Sequence, residues 1–179
     1  MIVLSLDPGL RASGLALFVN GQLVAAEVVT QTPRGKTANR ACDSSEMACR
    51  CVVAVAGMMR ELGGAGQVDR LLCEWPQIYQ RSAGRSKGDP NDLLPLAGVC
   101  AAICALLSPH GPEVISLNPA EWKGQVDGDV MTARILAKLG EAERAILPRG
   151  ALAHNAIDAA GLGLFYLGRL QRARAVSRL

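Results

Sequence analysis

The chain has 179 residues, half of them hydrophobic and a fifth charged, and its formal net charge is +3. This length predicts one domain with one core, and it excludes a two-lobed ATPase, which needs a second lobe of similar size. The charge is too weakly basic to indicate a nucleic-acid partner by itself, so that inference depends on where the basic residues lie.

The six cysteines form no CxxC pair and lie mostly within apolar segments. We therefore expect reduced, buried packing residues of a cytoplasmic protein rather than disulfides or a zinc site. The chain opens directly with an apolar strand, and no secretory signal is evident. The longest apolar stretch, Leu93 to Leu107, is too short to span a bilayer, so we expect no membrane partner.

The first part of the chain predicts three antiparallel strands followed by a helix. A branched apolar run from Ile2 ends at Asp7, which is followed at once by Pro-Gly. The segment Ser13 to Val19 then pairs with Gln22 to Val29 across Asn20-Gly21, a pair typical of tight hairpins. Apolar residues at spacings of three and four predict a helix over Asn39 to Leu62. Asp7 thus lies at the end of a central strand, where ligands collect in open α/β sheets, although it could simply cap the turn.

A second carboxylate follows the next strand, Val68 to Glu74. An unpaired charge directly after a buried strand is costly, so Glu74 needs either a counter-ion such as an arginine or a functional reason. A long basic loop from Gln77 to Pro90 comes next.

The rest of the chain predicts one helix before the last strand and a helical region of two helices after it. Asp92 is a plausible N-cap for a helix over Leu93 to Leu107, which is apolar on nearly every face and is therefore wholly buried or shared with a second subunit. Glu113 to Leu117 is the last strand, and a helix follows from about Val130 to Leu139. A final helix is expected from near Leu152 to the C-terminus, which completes the order β-β-β-α-β-α-β-α.

The final helix carries the third carboxylate. His154 and Asp158 are four residues apart, so they lie one turn apart on one face, with Asn155 beside them. The alternative is that His154 and Asn155 cap the helix while Asp158 pairs with an arginine.

Asp7, Glu74 and Asp158 are thus expected to converge. Two unit charges 4 Å apart repel by about 4 kcal/mol at an effective dielectric constant near 20, so such a cluster needs a cation. Carboxylate oxygens with at most one imidazole suit Mg²⁺ or Mn²⁺, and two such ions can hydrolyse a phosphodiester. Zinc is disfavoured because no cysteine has ligand spacing.

Four blocks of sequence, taken in order, resemble the RuvC family of Holliday-junction resolvases, most closely its compact phage and prophage relatives. The resemblance covers the chain from Ile2 to about Leu167 and rests on these blocks: Leu-Ser-Leu-Asp7-Pro-Gly with Ser13-Gly14, Cys73-Glu74, Asn118-Pro-Ala-Glu-Trp-Lys123, and His154-Asn-Ala-Ile-Asp158-Ala-Ala. It implies an RNase H-like fold with a mixed five-stranded sheet flanked by helices. It also implies a metal-dependent endodeoxyribonuclease that works as a homodimer and makes paired nicks in a four-way DNA junction. Residues 1–168 would be the nuclease domain and 169–179 a basic tail.

The resemblance also implies roles for individual residues. Asp7, Glu74 and Asp158 match the family's acidic metal ligands, and either His154 or Asn155 matches the fourth, where the family has Asp or His. Three further matches are a cation near the scissile phosphate, an aromatic wedge for the junction centre and the dimer-forming helix: Lys123, Tyr79 and Leu93 to Leu107. The family also tends to carry a lysine where this chain has Gly128, for which Arg134 would be a distant substitute.

Two basic regions are predicted to bind DNA phosphates without reading sequence. One is the loop after Glu74 and the other is the tail, with these residues: Arg81, Arg85, Lys87, Arg169, Arg172, Arg174 and Arg178. The tail could equally be a solvated helix end. Two other functions remain open, a broader nuclease for branched DNA or RNA–DNA hybrids and a non-catalytic module that binds junctions.

Overall fold

The computed structural model describes residues 1–32, 40–64, 66–77, 79–80, 86–87, 90–108, 111–124 and 126–172, with the backbone alone for 40, 79–80, 86–87 and 90–92. The elements follow in this order: β1 (Ile2–Asp7), β2 (Ala12–Val19), β3 (Gln22–Thr30), α1 (Arg40–Glu61), β4 (Arg70–Glu74), β5 (Tyr79–Gln80), β6 (Ser86–Lys87), α2 (Pro90–Leu107), β7 (Glu113–Leu117), α3 (Pro119–Trp122), α4 (Gly128–Lys138), α5 (Glu141–Ile146) and α6 (Ala153–Tyr166). No helix among these residues is both long enough and apolar enough to cross a membrane.

Five strands form one mixed sheet in the order β3-β2-β1-β4-β7. The first three strands are antiparallel neighbours, joined at β2 and β3 by the Asn20-Gly21 turn, in which both residues have positive φ. Strand β4 runs parallel to β1 on one side and to β7 on the other. The predicted mixed five-stranded sheet is confirmed, and β1 lies at its centre as expected.

Helices cover both faces of the sheet, so that the core has two halves. Helices α1 and α2 pack on one face, where Leu4 and Leu6 meet Met47, Val55 and Ile103. Helices α4 and α6 cover the opposite face, on which Val3, Phe18, Leu72, Trp122 and Ile135 are buried. All six cysteines are free thiols, and Cys51, Cys73 and Cys100 are buried within the first half. The expectation of buried packing residues is wrong for Cys49, which is exposed on the outer side of α1.

Several elements differ from the sequence prediction, three of them for reasons visible in the structure. Helix α6 ends at Tyr166 and does not continue to the C-terminus, because Gly168 has a positive φ and the next two amides bind back to the carbonyl of Leu164. Helix α2 begins at Pro90, before the predicted cap at Asp92, because proline at the start of a helix loses no hydrogen bond. The stretch after α4, expected to be irregular, forms the short helix α5.

Candidate functional site

The pleat of the sheet brings Asp7 and Glu74 together. In β1, Val3 and Ser5 face α6, and side chains alternate along a strand, so Asp7 lies on that same face. In β4, Leu72 faces α6, and Glu74 therefore does so as well. Leu6 and Cys73 are paired across the two parallel strands. Asp7 and Glu74 are the next residues of each strand, so the two carboxyl groups leave the same edge of the sheet on the same side.

Helix α6 adds Asp158 because two contacts hold it close to the sheet. The buried hydroxyl of Ser5 donates to the carbonyl of Ala159 at 2.7 Å, which fixes the helix over β1. Gly14, the partner of Asp7 across β1 and β2, has no side chain, and a Cβ there would overlap the carbonyl of Asn155. The first turns of α6 therefore cross directly over the ends of β1 and β2.

Lys123 joins two of the carboxylates. Its Nζ lies 2.8 Å from Oδ2 of Asp158 and 3.3 Å from Oε2 of Glu74. The ammonium also lies 4.7 Å from the centre of the Trp122 ring, a distance typical of a cation–π contact. One ammonium thus holds together carboxylates from a strand and a helix that are far apart in sequence.

Helix α3 positions Lys123 and a further hydrogen-bond donor. A capping box starts this helix: the Asn118 side chain accepts from the amide of Glu121, and the Glu121 carboxylate accepts from the amide of Asn118. Trp122 is fully buried, and its Nε1 donates to Oε2 of Glu74 at 2.7 Å. Lys123 follows at the end of the helix, so its backbone is held by the packing of Trp122.

The electrostatics of the site reflect an excess of negative charge. Burial raises the pKa of Asp7 well above its usual range, and the charges of Glu74 and Asp158 raise it further. Burial also raises the pKa of Glu74, although Lys123 and the Trp122 hydrogen bond act in the opposite direction. Burial lowers the pKa of Lys123, but the three carboxylates outweigh it and the net shift is upward. Lys123 is therefore a permanent cation beside carboxyl groups that are costly to ionise.

His154 and Asn155 both lie in the first turn of α6, but neither donates to Asp158. Nδ1 of His154 lies 3.1 Å from the carbonyl of Ala151, and Nδ2 of Asn155 donates to the carbonyl of Leu152 at 3.1 Å. His154 is exposed, and Asn155 is half-buried. Their assignment as the fourth metal ligand stays a prediction.

The donor chemistry of Asp7, Glu74 and Asp158 fits Mg²⁺ or Mn²⁺, because all three offer carboxylate oxygens. Among the residues whose side chains the structure describes, Lys123 is the one cation that offsets them. Within the part of the chain that the structure describes, no three His, Cys, Asp or Glu side chains are placed so that they could hold a metal ion together. Glu74 and Asp158 instead meet at the ammonium of Lys123.

The predicted DNA contacts are only partly described. Arg81, Arg85, Arg174 and Arg178 lie outside the described residues. The backbones of Tyr79 and Lys87 are paired in the two-stranded ribbon of β5 and β6. Arg172 is exposed, as a DNA contact requires.

Arg169 does not belong to the predicted basic surface. Its guanidinium donates to both oxygens of Glu143 at 2.6 and 2.7 Å and to the carbonyls of Gly21 and Lys138. Glu143 is buried, and Arg169 is its counter-ion, so this arginine fastens the end of α6 to the β2–β3 turn and α5. The composition of the tail does not distinguish an arginine that forms an internal ion pair, such as Arg169, from arginines that are exposed.

Two features of the site were missed at the level of sequence. The spacing Asn118-Pro-Ala-Glu121 is a capping-box signal that would have predicted α3. No pattern in the sequence indicates that Trp122 donates to Glu74, because the two residues belong to separate elements. The proposed arginine partners of Glu74 and Asp158 are replaced by Lys123.

No family model matches the sequence, and no curated protein is detectably similar to it. Solved structures do share its fold. RuvC from Thermus thermophilus, solved in complex with a Holliday junction substrate, is 18% identical over 97% of this chain and 99% of its own, with a TM-score of 0.59. The fowlpox virus Holliday junction resolvase is 17% identical over 94% and 98% of the two chains, with a TM-score of 0.55. The expected RNase H-like fold of RuvC-type resolvases is thereby confirmed.

Proposed function

We propose that this chain is a metal-dependent endodeoxyribonuclease that resolves four-way DNA junctions by paired, symmetric nicks. The observation that carries the proposal is that Glu74 and Asp158 share the ammonium of Lys123 at the edge of the sheet where β1 and β4 end, near enough to Asp7 for their charges to influence its carboxyl group. The fold around this cluster is shared along nearly the whole chain with T. thermophilus RuvC and the fowlpox resolvase, which have been solved with Holliday junction DNA.

The chain's own residues would divide the work as follows. Asp7, Glu74 and Asp158, with His154 or Asn155, would hold two Mg²⁺ or Mn²⁺ ions. Such ions, when bound, activate a water and stabilise the leaving oxygen in phosphodiester hydrolysis. Trp122 keeps the Glu74 carboxylate oriented through its Nε1 donor. Lys123 supplies a positive charge for the phosphate on which negative charge develops.

A homodimer would place two such sites on opposed strands of a junction. Helix α2 supports this arrangement because the residues that the structure describes do not fully cover its apolar surface. Leu94 is 73% exposed and Leu106 43% exposed, although both belong to a strongly apolar helix. We propose that α2 packs against its counterpart in a second copy, as the sequence resemblance implies.

DNA would bind through basic groups near the site and after α6. If Arg172 and Arg174 each contact a phosphate, their double replacement by alanine lowers the slope of log affinity against log salt by about 2. The measurement is junction binding by fluorescence anisotropy between 50 and 200 mM salt. A control variant in which the exposed residues Arg60 and Arg144 are replaced by alanine loses the same charge away from the tail. An unchanged slope would remove the tail from the binding surface.

Cleavage of an end-labelled four-way junction tests the proposed function. The reactions are run with Mg²⁺, Mn²⁺ or EDTA, beside linear duplex, fork and RNA–DNA hybrid substrates of the same sequence. Asp7→Asn serves as the inactive control, since it removes a proposed metal ligand at nearly constant volume.

The products separate the possible functions. Paired, symmetric nicks in the junction that require metal and Asp7 support the resolvase. Preference for the fork or the hybrid would keep the chemistry and replace the substrate. Junction binding without cleavage at any metal concentration would contradict the enzyme and favour a recognition module.

A further inference from the structure

Lys123 has a second role that precedes its contact with DNA. We infer that Lys123 is the resident counter-ion of the metal site: its ammonium bridges Glu74 and Asp158 in the metal-free protein and leaves them when a divalent cation binds. The inference rests on the metal-dependent function proposed above and adds to it a competition between the chain's own cation and the metal.

The geometry shows that the ammonium lies where two ligands converge. Oδ2 of Asp158 and Oε2 of Glu74 approach the same Nζ atom at 2.8 and 3.3 Å. A divalent metal ion bound at this site would need oxygens of these same carboxylates, because Mg²⁺ and Mn²⁺ prefer carboxylate ligands. Lys123 thus holds together the pair of groups that a metal would hold, although they come from β4 and α6.

The surroundings of Lys123 stabilise this arrangement without a metal. The ammonium contacts the Trp122 ring, and the Lys123 side chain is only 21% exposed, so its ion pairs are poorly screened. A positive charge at this position offsets the electrostatic repulsion between the carboxylates of the site.

The same charge opposes a metal ion. A divalent cation and an ammonium that share the Glu74–Asp158 pair repel each other, and each needs the same carboxylate oxygens. Displacement of the ammonium does not move the lysine backbone, because buried Trp122 anchors α3. The flexible side chain therefore remains within reach of the site and is free to contact an anion such as a DNA phosphate.

Two measurements on DNA-free protein test the inference. The first is Mn²⁺ binding by isothermal titration calorimetry to wild type, Lys123→Met and Lys138→Met. Methionine keeps the length of the side chain and removes its charge, and Lys138 is an exposed lysine on α4 that controls for net charge. We expect Lys123→Met to bind Mn²⁺ at least about tenfold more tightly than wild type, and Lys138→Met to bind as wild type does.

The second measurement follows the lysine itself in the wild-type protein. The ¹⁵N resonance of the Lys123 ammonium is assigned by its absence from Lys123→Met, and it should move when Mg²⁺ saturates the site. Mg²⁺ binding with an unchanged Lys123 resonance overturns the inference, and so does Mn²⁺ binding by Lys123→Met that is no tighter than that of wild type. The absence of metal binding to both proteins overturns it as well. Metal binding without the expected response of Lys123 overturns the inference and leaves the proposed nuclease standing, whereas the absence of metal binding contradicts both.

Discussion

Asp7 carries a charge that the fold makes unfavourable. Burial and two neighbouring carboxylates raise its pKa, and Lys123 only partly opposes them. A residue placed in this way contributes nothing to stability in the metal-free protein. Its place at the end of the central strand is understandable only if its ionised form has a ligand, which agrees with the proposed metal site.

Replacement of Asp7 by asparagine should therefore stabilise the metal-free protein while abolishing cleavage. Because the folded pKa is raised, ionisation of Asp7 removes stability as pH rises through that pKa. Below about pH 4 the carboxyl is protonated in both states and costs nothing. We expect Asp7→Asn to gain about 1 kcal/mol at pH 7 in EDTA, roughly 3 °C in Tm, with the gain shrinking toward pH 4. Thermal unfolding at both pH values measures this, and equal or lower stability at pH 7 would contradict it.

Glu143 is a buried carboxylate of the opposite kind. Hydrogen bonds from Arg169 and from the amides of Leu23 and Gly140 lower its pKa to about 2. Its charge therefore contributes stability above about pH 4.3, the value in an unfolded chain, and that stability is lost as pH falls toward 2.

The Glu143→Gln variant separates this charge from the packing around it. We expect a loss of about 2 kcal/mol at pH 7, because the hydrogen bonds of a charged acceptor become those of a neutral one. Urea unfolding should show that the difference in unfolding free energy between this variant and wild type narrows as the pH falls from 4.5 to 2. The stability gained by Asp7→Asn should already be lost at about pH 4. A difference that stays constant over this range would show that the charge of Glu143 is not what stabilises the fold.

At the scale of elements, the sequence predicted what local patterns determine. The apolar run before Asp7, the Asn20-Gly21 turn and the strand before Glu74 each contain their own signal, and each forms as expected. The end of α6 depends on Gly168 and on amides that return to Leu164, and an apolar helix pattern does not contain that information.

The contacts within the site could not be predicted from spacing. Lys123 meets Glu74 and Asp158 only because α3 follows the edge strand β7 and packs Trp122 beneath α6. The sequence indicated that the carboxylates needed a cation. A divalent metal ion was the expected one, with an arginine as the alternative partner of Glu74 and of Asp158. Which cation reaches them is decided by tertiary packing.

The close crossing of α6 over β2 gives a prediction at this scale. Gly14→Ala places a methyl group against the carbonyl of Asn155, so α6 must move away from the sheet and carry Asp158 with it. We expect a loss of about 3 kcal/mol or more and weak junction cleavage. Gly128→Ala is the matched control, because its Cβ meets open space at the start of α4, and it should be neutral or slightly stabilising. Urea unfolding of both variants measures the difference, and similar stabilities would contradict the close crossing.

At the scale of the whole molecule, the two faces of the sheet differ in the residues they carry. The face covered by α4 and α6 bears the carboxylates and Lys123, whereas the face covered by α1 and α2 is a hydrophobic core. Apolar surface that remains exposed on α2 therefore lies on the side of the sheet away from the site. A dimer formed there would leave both sites open to DNA.

Leu94→Glu should convert this dimer into monomers. Leu94 is the most exposed large apolar residue on α2. At a symmetric interface the two introduced glutamates, one from each copy, would be buried near each other and would repel. We expect light scattering to show a halved mass at micromolar concentration while circular dichroism stays that of a folded chain. Val130→Glu, at a 50% exposed position on α4, is the control and should remain dimeric. The monomer should still bind metal but nick the two junction strands independently, because paired cleavage requires two sites on one junction. A Leu94→Glu variant that remains dimeric would exclude this part of α2 from the interface.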